Sequence, residues 1–162
     1  MSDLLVKLYV IDYAFNESLA EDGIFLKRAS IINKKAILDF VKESFPGSPT
    51  WGNECECALM SCPSTCWIAV KDMQVIGFAC FDATAKGFFG PTGVREDMRG
   101  KGIGKELLLR ALYSLKESGY AYAIIGWSSE ESLVFYKKTV QAIEIEDSPP
   151  GKSIYHNCIW MK

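Results

Sequence analysis

The sequence predicts a mixed α/β fold in one domain. Three observations carry this prediction. Strand-like and helix-like apolar patterns alternate along the 162 residues. Gly104, Leu107, Leu108, Ala111, Leu112 and Leu115 follow steps of three and four, the mark of a long amphipathic helix. Two apolar runs on either side of Lys71-Asp72-Met73-Gln74 mark a hairpin. A chain of this length builds one core and is too short for two.

Taken in order, "DLLVKLYVID" (3–12) alternates and holds β-branched residues, so it reads as a strand, and "GIFLKRA" (23–29) as a second. Ile37, Phe40, Val41 and Phe45 have helical spacing within residues 30–47, and Pro46-Gly47 stops that helix. "WGNECECALMSC" (51–62) reads as another helix. The hairpin occupies 64–82. "GFFGPTGV" (87–94) is a strand carrying a proline and three glycines, so a bulge or an open edge is expected in it. The long helix then ends at Gly119. "YAYAIIGW" (120–127) is a strand, and residues 128–140 form a short helix in which Ser128 and Glu131 have capping-box spacing. The tail reads as two strands around Ser148-Pro149-Pro150-Gly151. No repeat, linker or low-complexity tract interrupts the order.

Composition narrows the function. Apolar residues make up 49%, aromatic residues 12%, and the net charge is −2. That balance is neither the polarity of a disordered chain nor the basic excess of a nucleic-acid binder. The first residues, "MSDLLVKLYVIDYAF", mix acids and a lysine into their apolar positions, which fits neither a signal peptide nor a membrane span. A cytoplasmic protein with no membrane partner is the expectation. Four of the six cysteines fall in residues 55–66. On a helix, Cys55 and Cys57 point to opposite sides, and Cys55 and Cys62 lie about 10 Å apart along the axis, too far to share an ion. Reducing conditions argue against disulfides, so the thiols read as buried apolar groups and no metal is expected. A zinc or redox reading requires this segment to be a loop. The single histidine, His156, has no second histidine for a metal, and Trp51, Trp67, Trp127 and Trp160 read as packing.

The densest chemical signal is "RGKGIGKELL". A helix start offers free N–H groups and a positive dipole end, glycines let a ligand approach the backbone, and Arg99, Lys101 and Lys105 add charge. This is an anion cradle. It is not a Walker loop, because Glu106 follows Lys105 where a hydroxyl is required, and the dinucleotide fingerprint fails on the spacing of its third glycine.

What remains, Arg99-x-x-Gly102-x-Gly104 between a strand and a long helix, resembles the signature of the GNAT N-acetyltransferase superfamily. The flanking order of elements is similar over residues 23–162, with residues 1–22 as an added N-terminal strand and connection. The resemblance implies a central mixed, mostly antiparallel sheet flanked by helices and splayed between its fourth and fifth core strands, with acetyl-coenzyme A in the splay. Thr92, Gly93 and Val94 would then pair their backbone with the pantetheine arm. The amides of Arg99, Gly100, Lys101, Gly102, Ile103, Gly104 and Lys105 would hold the pyrophosphate.

The same resemblance places Tyr136 where many members carry a tyrosine that protonates the leaving sulfur. Many members also carry a glutamate on the strand before the glycine turn, and "GFFGPTGV" has no carboxylate. Glu54 and Asp82 are the candidate bases, with water as the alternative. The expected activity is transfer of acetyl from acetyl-CoA to the primary amine of a small molecule. A non-catalytic acyl-CoA-binding or sensing module is the second reading. Family members often form homodimers, and no sequence feature forces one here.

Overall fold

A computed structural model describes residues 1–161. Its centre is one sheet of seven strands: β1 (Ser2–Lys7), β2 (Phe25–Arg28), β3 (Cys66–Lys71), β4 (Gln74–Phe81), β5 (Phe88–Val94), β6 (Tyr122–Ser128) and β7 (Ile143–Glu144). The strand order is β2-β3-β4-β5-β6-β1-β7. Every neighbouring pair is antiparallel except β5 and β6. Four helices cover the faces: α1 (Lys34–Ser44), α2 (Trp51–Met60), α3 (Ile103–Glu117) and α4 (Glu130–Val140).

Two cores follow from the alternation of side chains across the strands. One face packs Ile76, Phe89, Ala123 and Ile125 against Leu107, Leu108 and Leu112 of α3 and Tyr136 of α4. The other packs Ile68, Phe78 and Cys80 against Ile37, Phe40 and Val41 of α1 and Cys55 and Leu59 of α2.

The ends of the chain depart from the periodicity. β1 stops at Lys7, short of the expected 12, because its partner β6 begins at Tyr122; one further bond, Leu8 N to Ala121 O at 3.0 Å, ends the pairing. Residues 8–24 then cross the α3 face, where buried Glu106 accepts from Asn16 N at 3.0 Å and Arg110 Nε at 3.2 Å. The tail supplies only the two-residue β7, and its expected second strand is a short 3-10 turn, Ile154–Asn157. After β7 the chain instead turns back over the sheet, where Ser153 bonds Asp3 and Tyr155 lies on Gly126. Ser129, rather than Ser128, caps α4, accepting from Ser132 N.

Asp3 ties these ends together. Its buried carboxylate accepts from Trp127 N at 2.9 Å and from Ser153 Oγ at 2.5 Å. Its own amide donates to Ser148 Oγ at 2.9 Å, and its carbonyl accepts from Ile145 N at 2.9 Å. Trp127 has φ 52, a left-handed backbone for a bulky residue, within an irregular β1–β6 register. Asp3→Ala is expected to destabilise by about 1–3 kcal/mol for each buried donor left without an acceptor. Urea unfolding of the two proteins measures it, and an unchanged midpoint would show that water replaces the carboxylate.

Candidate active site

β5 and β6 touch along only two residue pairs, Phe88 with Ile124 and Phe89 with Ile125. Beyond them β5 continues to Val94 and β6 to Ser128 without pairing, so the strands splay toward their C-terminal ends. The proline and glycines of β5 have the effect expected of them: the β4–β5 register shifts between Ala79 and Phe81, opposite Gly90-Pro91. Thr92, Gly93 and Val94 pair with Ala79, Phe78 and Gly77 on the β4 side. Their other edge faces the splay. Thr92 Oγ1 donates to Phe78 O at 2.9 Å, and the Phe45 ring lies directly over Gly93.

The glycine turn follows at the open end. Gly100 and Gly102 have φ 76 and 83, conformations that other residues adopt with strain. Gly102 is the N-cap of α3 and offers no side chain to the helix start. Glu106 N is the helix amide that reaches back to Gly102 O, at 3.1 Å. The amides before it are the free donors of an uncapped helix. Gly100, Lys101, Gly102 and Lys105 are exposed, while Ile103 is buried and anchors the turn to the core. Arg99 Nε donates to Val94 O at 3.2 Å, closing the turn and leaving the rest of its exposed guanidinium outward. The backbone therefore forms an open cradle for anionic oxygen, with cations at its rim.

The candidate catalytic groups separate to the two faces of the sheet. Tyr136 is 7% exposed on the α3 face, edge-on to Phe89 at 6.2 Å, at the apex of the splay. Burial pushes its phenol up to about 12. Glu54 lies on α2, on the opposite face, accepting from Thr84 Oγ1 and, at 3.4 Å, from Thr50 Oγ1. Asp82 is at the far end of β5. Its Oδ1 accepts from Gly87 N at 2.6 Å and its amide donates to Phe88 O at 2.9 Å. The structure thus gives the Asp82 carboxylate to the turn between β4 and β5.

One residue at the site escaped sequence reasoning. Tyr155, from the 3-10 turn near the C-terminus, lies on Gly126 so closely that a Cβ there would stand 2.4 Å from the phenol oxygen. Phe88 borders it on one side and Trp127 stacks on it at 5.2 Å on the other. Burial first, then the charge of Glu54, pushes its phenol up to about 12. Glu54 and Tyr155 therefore share the α2 side of the cleft. The signal was faint: a glycine within a strand marks close approach by something, but nothing said by what.

Sulfur also converges where the reading did not look. The helix over 51–60 buries Cys55 and exposes Cys57, as expected. Cys55, however, meets Cys66 of β3 and Cys80 of β4, with all three sulfurs within 4.8 Å of one another. An open hollow bounded by Ser2, Lys137 and residues 142–149 lies beyond β1 and holds none of the candidate residues. Among the described residues, no helix is long and apolar enough to cross a membrane.

A mixed sheet, parallel at one pair and opened there above an uncapped glycine turn, is an acetyltransferase type of fold. A family model described as an acetyltransferase (GNAT) domain matches residues 62–139, which include β5, the glycine turn and most of α4. Over that segment, and in fold, the chain is similar to the GNAT acetyltransferases.

Solved structures agree on the fold. The glucosamine N-acetyltransferase region of a fungal multi-domain β-N-acetylglucosaminidase superposes with a TM-score of 0.68 at 16% identity, covering 89% of this chain and 19% of that one. A ribosomal-protein-alanine N-acetyltransferase from Brucella melitensis biovar Abortus 2308 gives 0.59 at 17% identity, covering 78% and 95%. An aminoglycoside acetyltransferase from an uncultured soil metagenomic sample, solved with sisomicin, gives 0.54 at 12%, covering 74% and 88%. No curated protein matches the sequence.

Two measurements check this geometry. Gly126→Ala is expected to drive Tyr155 off β6 and change Trp127 fluorescence, with Tyr155→Phe in the same chain restoring part of the signal by removing the nearest atom. Tyr13, Tyr136 and Tyr155 each stand at about 12, chiefly through burial, against ~10 unfolded. The folded state holds these protons more tightly, so their share of stability is intact below pH ~10 and is lost as pH rises toward 12. Urea midpoints across that range should fall, and less so in Tyr136→Phe.

Proposed function

We propose that the chain is an acetyl-CoA-dependent N-acetyltransferase that moves acetyl directly to the primary amine of a small molecule. The observation that carries the proposal is the splay of β5 from β6, ending at an uncapped, glycine-formed helix start. A pantetheine arm needs an unpaired strand edge, and a pyrophosphate needs free amides beside cations; both occur here in the right order. Thr92, Gly93 and Val94 would hold the arm. Residues 99–105 would hold the pyrophosphate.

Bound acetyl-CoA supplies a thioester whose carbonyl carbon an amine can attack, with coenzyme A leaving as a thiolate. Glu54 takes the proton that the acceptor's ammonium must lose before its lone pair is free. It fits this role better than Asp82, whose oxygen is committed to Gly87 N. Tyr136 donates its proton to the departing sulfur. A phenol raised to about 12 keeps that proton throughout the neutral range, as a general acid must. Tyr155 and Trp127 form an aromatic wall beside Glu54, suited to the apolar body of an amine whose ammonium meets the carboxylate. Of the neighbours described above, two name small amines, glucosamine and an aminoglycoside, and the third names a ribosomal protein.

A thiol-release assay over a panel of amines tests the reading directly. Turnover with some acceptor supports it, whereas coenzyme A binding with no turnover on any would leave a sensing module. Arg99→Ala is expected to weaken acetyl-CoA binding about tenfold, the worth of one charge-assisted contact. Tight binding of ATP but not of coenzyme A in the same calorimeter would overturn the cofactor assignment. Tyr136→Phe should lower kcat about 100-fold with little change in acetyl-CoA affinity. Glu54→Gln should lower kcat/KM with little change in acetyl-CoA affinity.

A further inference from the structure

The Cys55, Cys66 and Cys80 thiols come from three separate elements, α2, β3 and β4, and converge in the interior. Each is 0% exposed, and their three sulfurs lie within 4.8 Å of one another. An ion held by three thiolates at ~2.3 Å sets its sulfurs about 4 Å apart in a trigonal plane, so the arrangement needs only a small contraction. Their surroundings are Ile37, Phe40, Leu59, Ile68 and Phe78. None of these side chains offers a fourth ligand. His156, the single histidine, lies in the C-terminal turn.

From this geometry we infer that the three thiols form a binding site for one thiophilic ion of the monovalent copper class. Three sulfurs select soft ions, the Trp67 carbonyl oxygen standing off at 3.6 Å from Cys66 Sγ, and monovalent copper is satisfied by three ligands where structural zinc takes four. The ion replaces thiol protons, which pass to solvent, and no electron is transferred. Arg28, whose Nε donates to Ser64 O beside β3, supplies a nearby positive charge against the excess of thiolate. A site closed on all sides is filled as the chain folds. Its consequence is mechanical: it clamps α2 to the hairpin of β3 and β4.

The test refolds the full chain anaerobically with one equivalent of Cu(I), and separately with Zn(II), then removes loosely held metal with a chelator. Metal is counted per chain, and the sulfur number is read by X-ray absorption. The expected result is one copper per chain with three sulfurs, a higher thermal midpoint than the metal-free protein, and no retained zinc. A variant with Cys57, Cys62 and Cys158 all changed to serine keeps its interior intact, because those three are exposed. It should retain the copper. Loss of copper from that variant, failure of the unsubstituted chain to retain any, or a sulfur number of two would overturn the site. Cys80→Ala, judged only if circular dichroism shows it folded, should lose the ion. These readouts do not involve acetyl transfer, so they stand or fall independently of the proposed activity.

Discussion

The buried carboxylate of Asp3 holds β6 from the side opposite β5, and the cleft depends on that hold. Strand pairing favours continuing a ladder once it has begun, since each unpaired edge leaves donors and acceptors to be satisfied elsewhere. β6 begins to pair with β5 and then departs after Ile125. What compensates the departure lies on the other edge: β1 pairs along β6, and Asp3 takes up the Trp127 amide where the backbone turns left-handed. The same carboxylate accepts from Ser153, two residues before Tyr155. A single N-terminal residue thus positions both the splayed strand and the aromatic group that lies on it.

The opening between β5 and β6 leads to chemically different faces. On the α3 side, Tyr136 sits among apolar groups that keep its proton in place. On the α2 side, Glu54, Thr84 and Tyr155 form a polar, partly exposed group. The acid and base roles proposed for Tyr136 and Glu54 call for such unlike surroundings. α2 takes part in both halves of this picture, because Glu54 faces the cleft while its neighbour Cys55 is sunk among the interior sulfurs.

Much of this was legible in local pattern. The periodicity of Leu107 to Leu115 defines α3, and its leucines are the centre of one core. Gly100 and Gly102 are glycines because the turn takes φ 76 and 83, and the proline and glycines of β5 do disrupt its ladder. These features depend on neighbours within a few residues, so sequence carries them. The tail failed for the opposite reason: "SIYHNCIW" has strand-like composition, but contacts to the distant Asp3 and Gly126 hold it as a turn over the sheet.

The sulfur cluster marks the boundary most sharply. A hairpin turning at Asp72 and Met73 with an unbroken register would set Cys66 opposite Ala79, leaving Cys80 on the other face. The structure shifts the register between Ala69 and Val70, leaving Ile76 as an extra residue and bringing Cys66 opposite Cys80. A one-residue slip reverses the face of every side chain beyond it. Which slip occurs depends on packing α3 against one face and α2 against the other, a choice made by distant parts of the chain. By itself the sequence determined the helices, the hairpin and the glycine cradle, and through them the likeness to GNAT acetyltransferases. Only tertiary structure decided where the chain ends go, which tyrosine lies beside Glu54 and which cysteines meet, because each depends on competition for an edge or a face that no local pattern records.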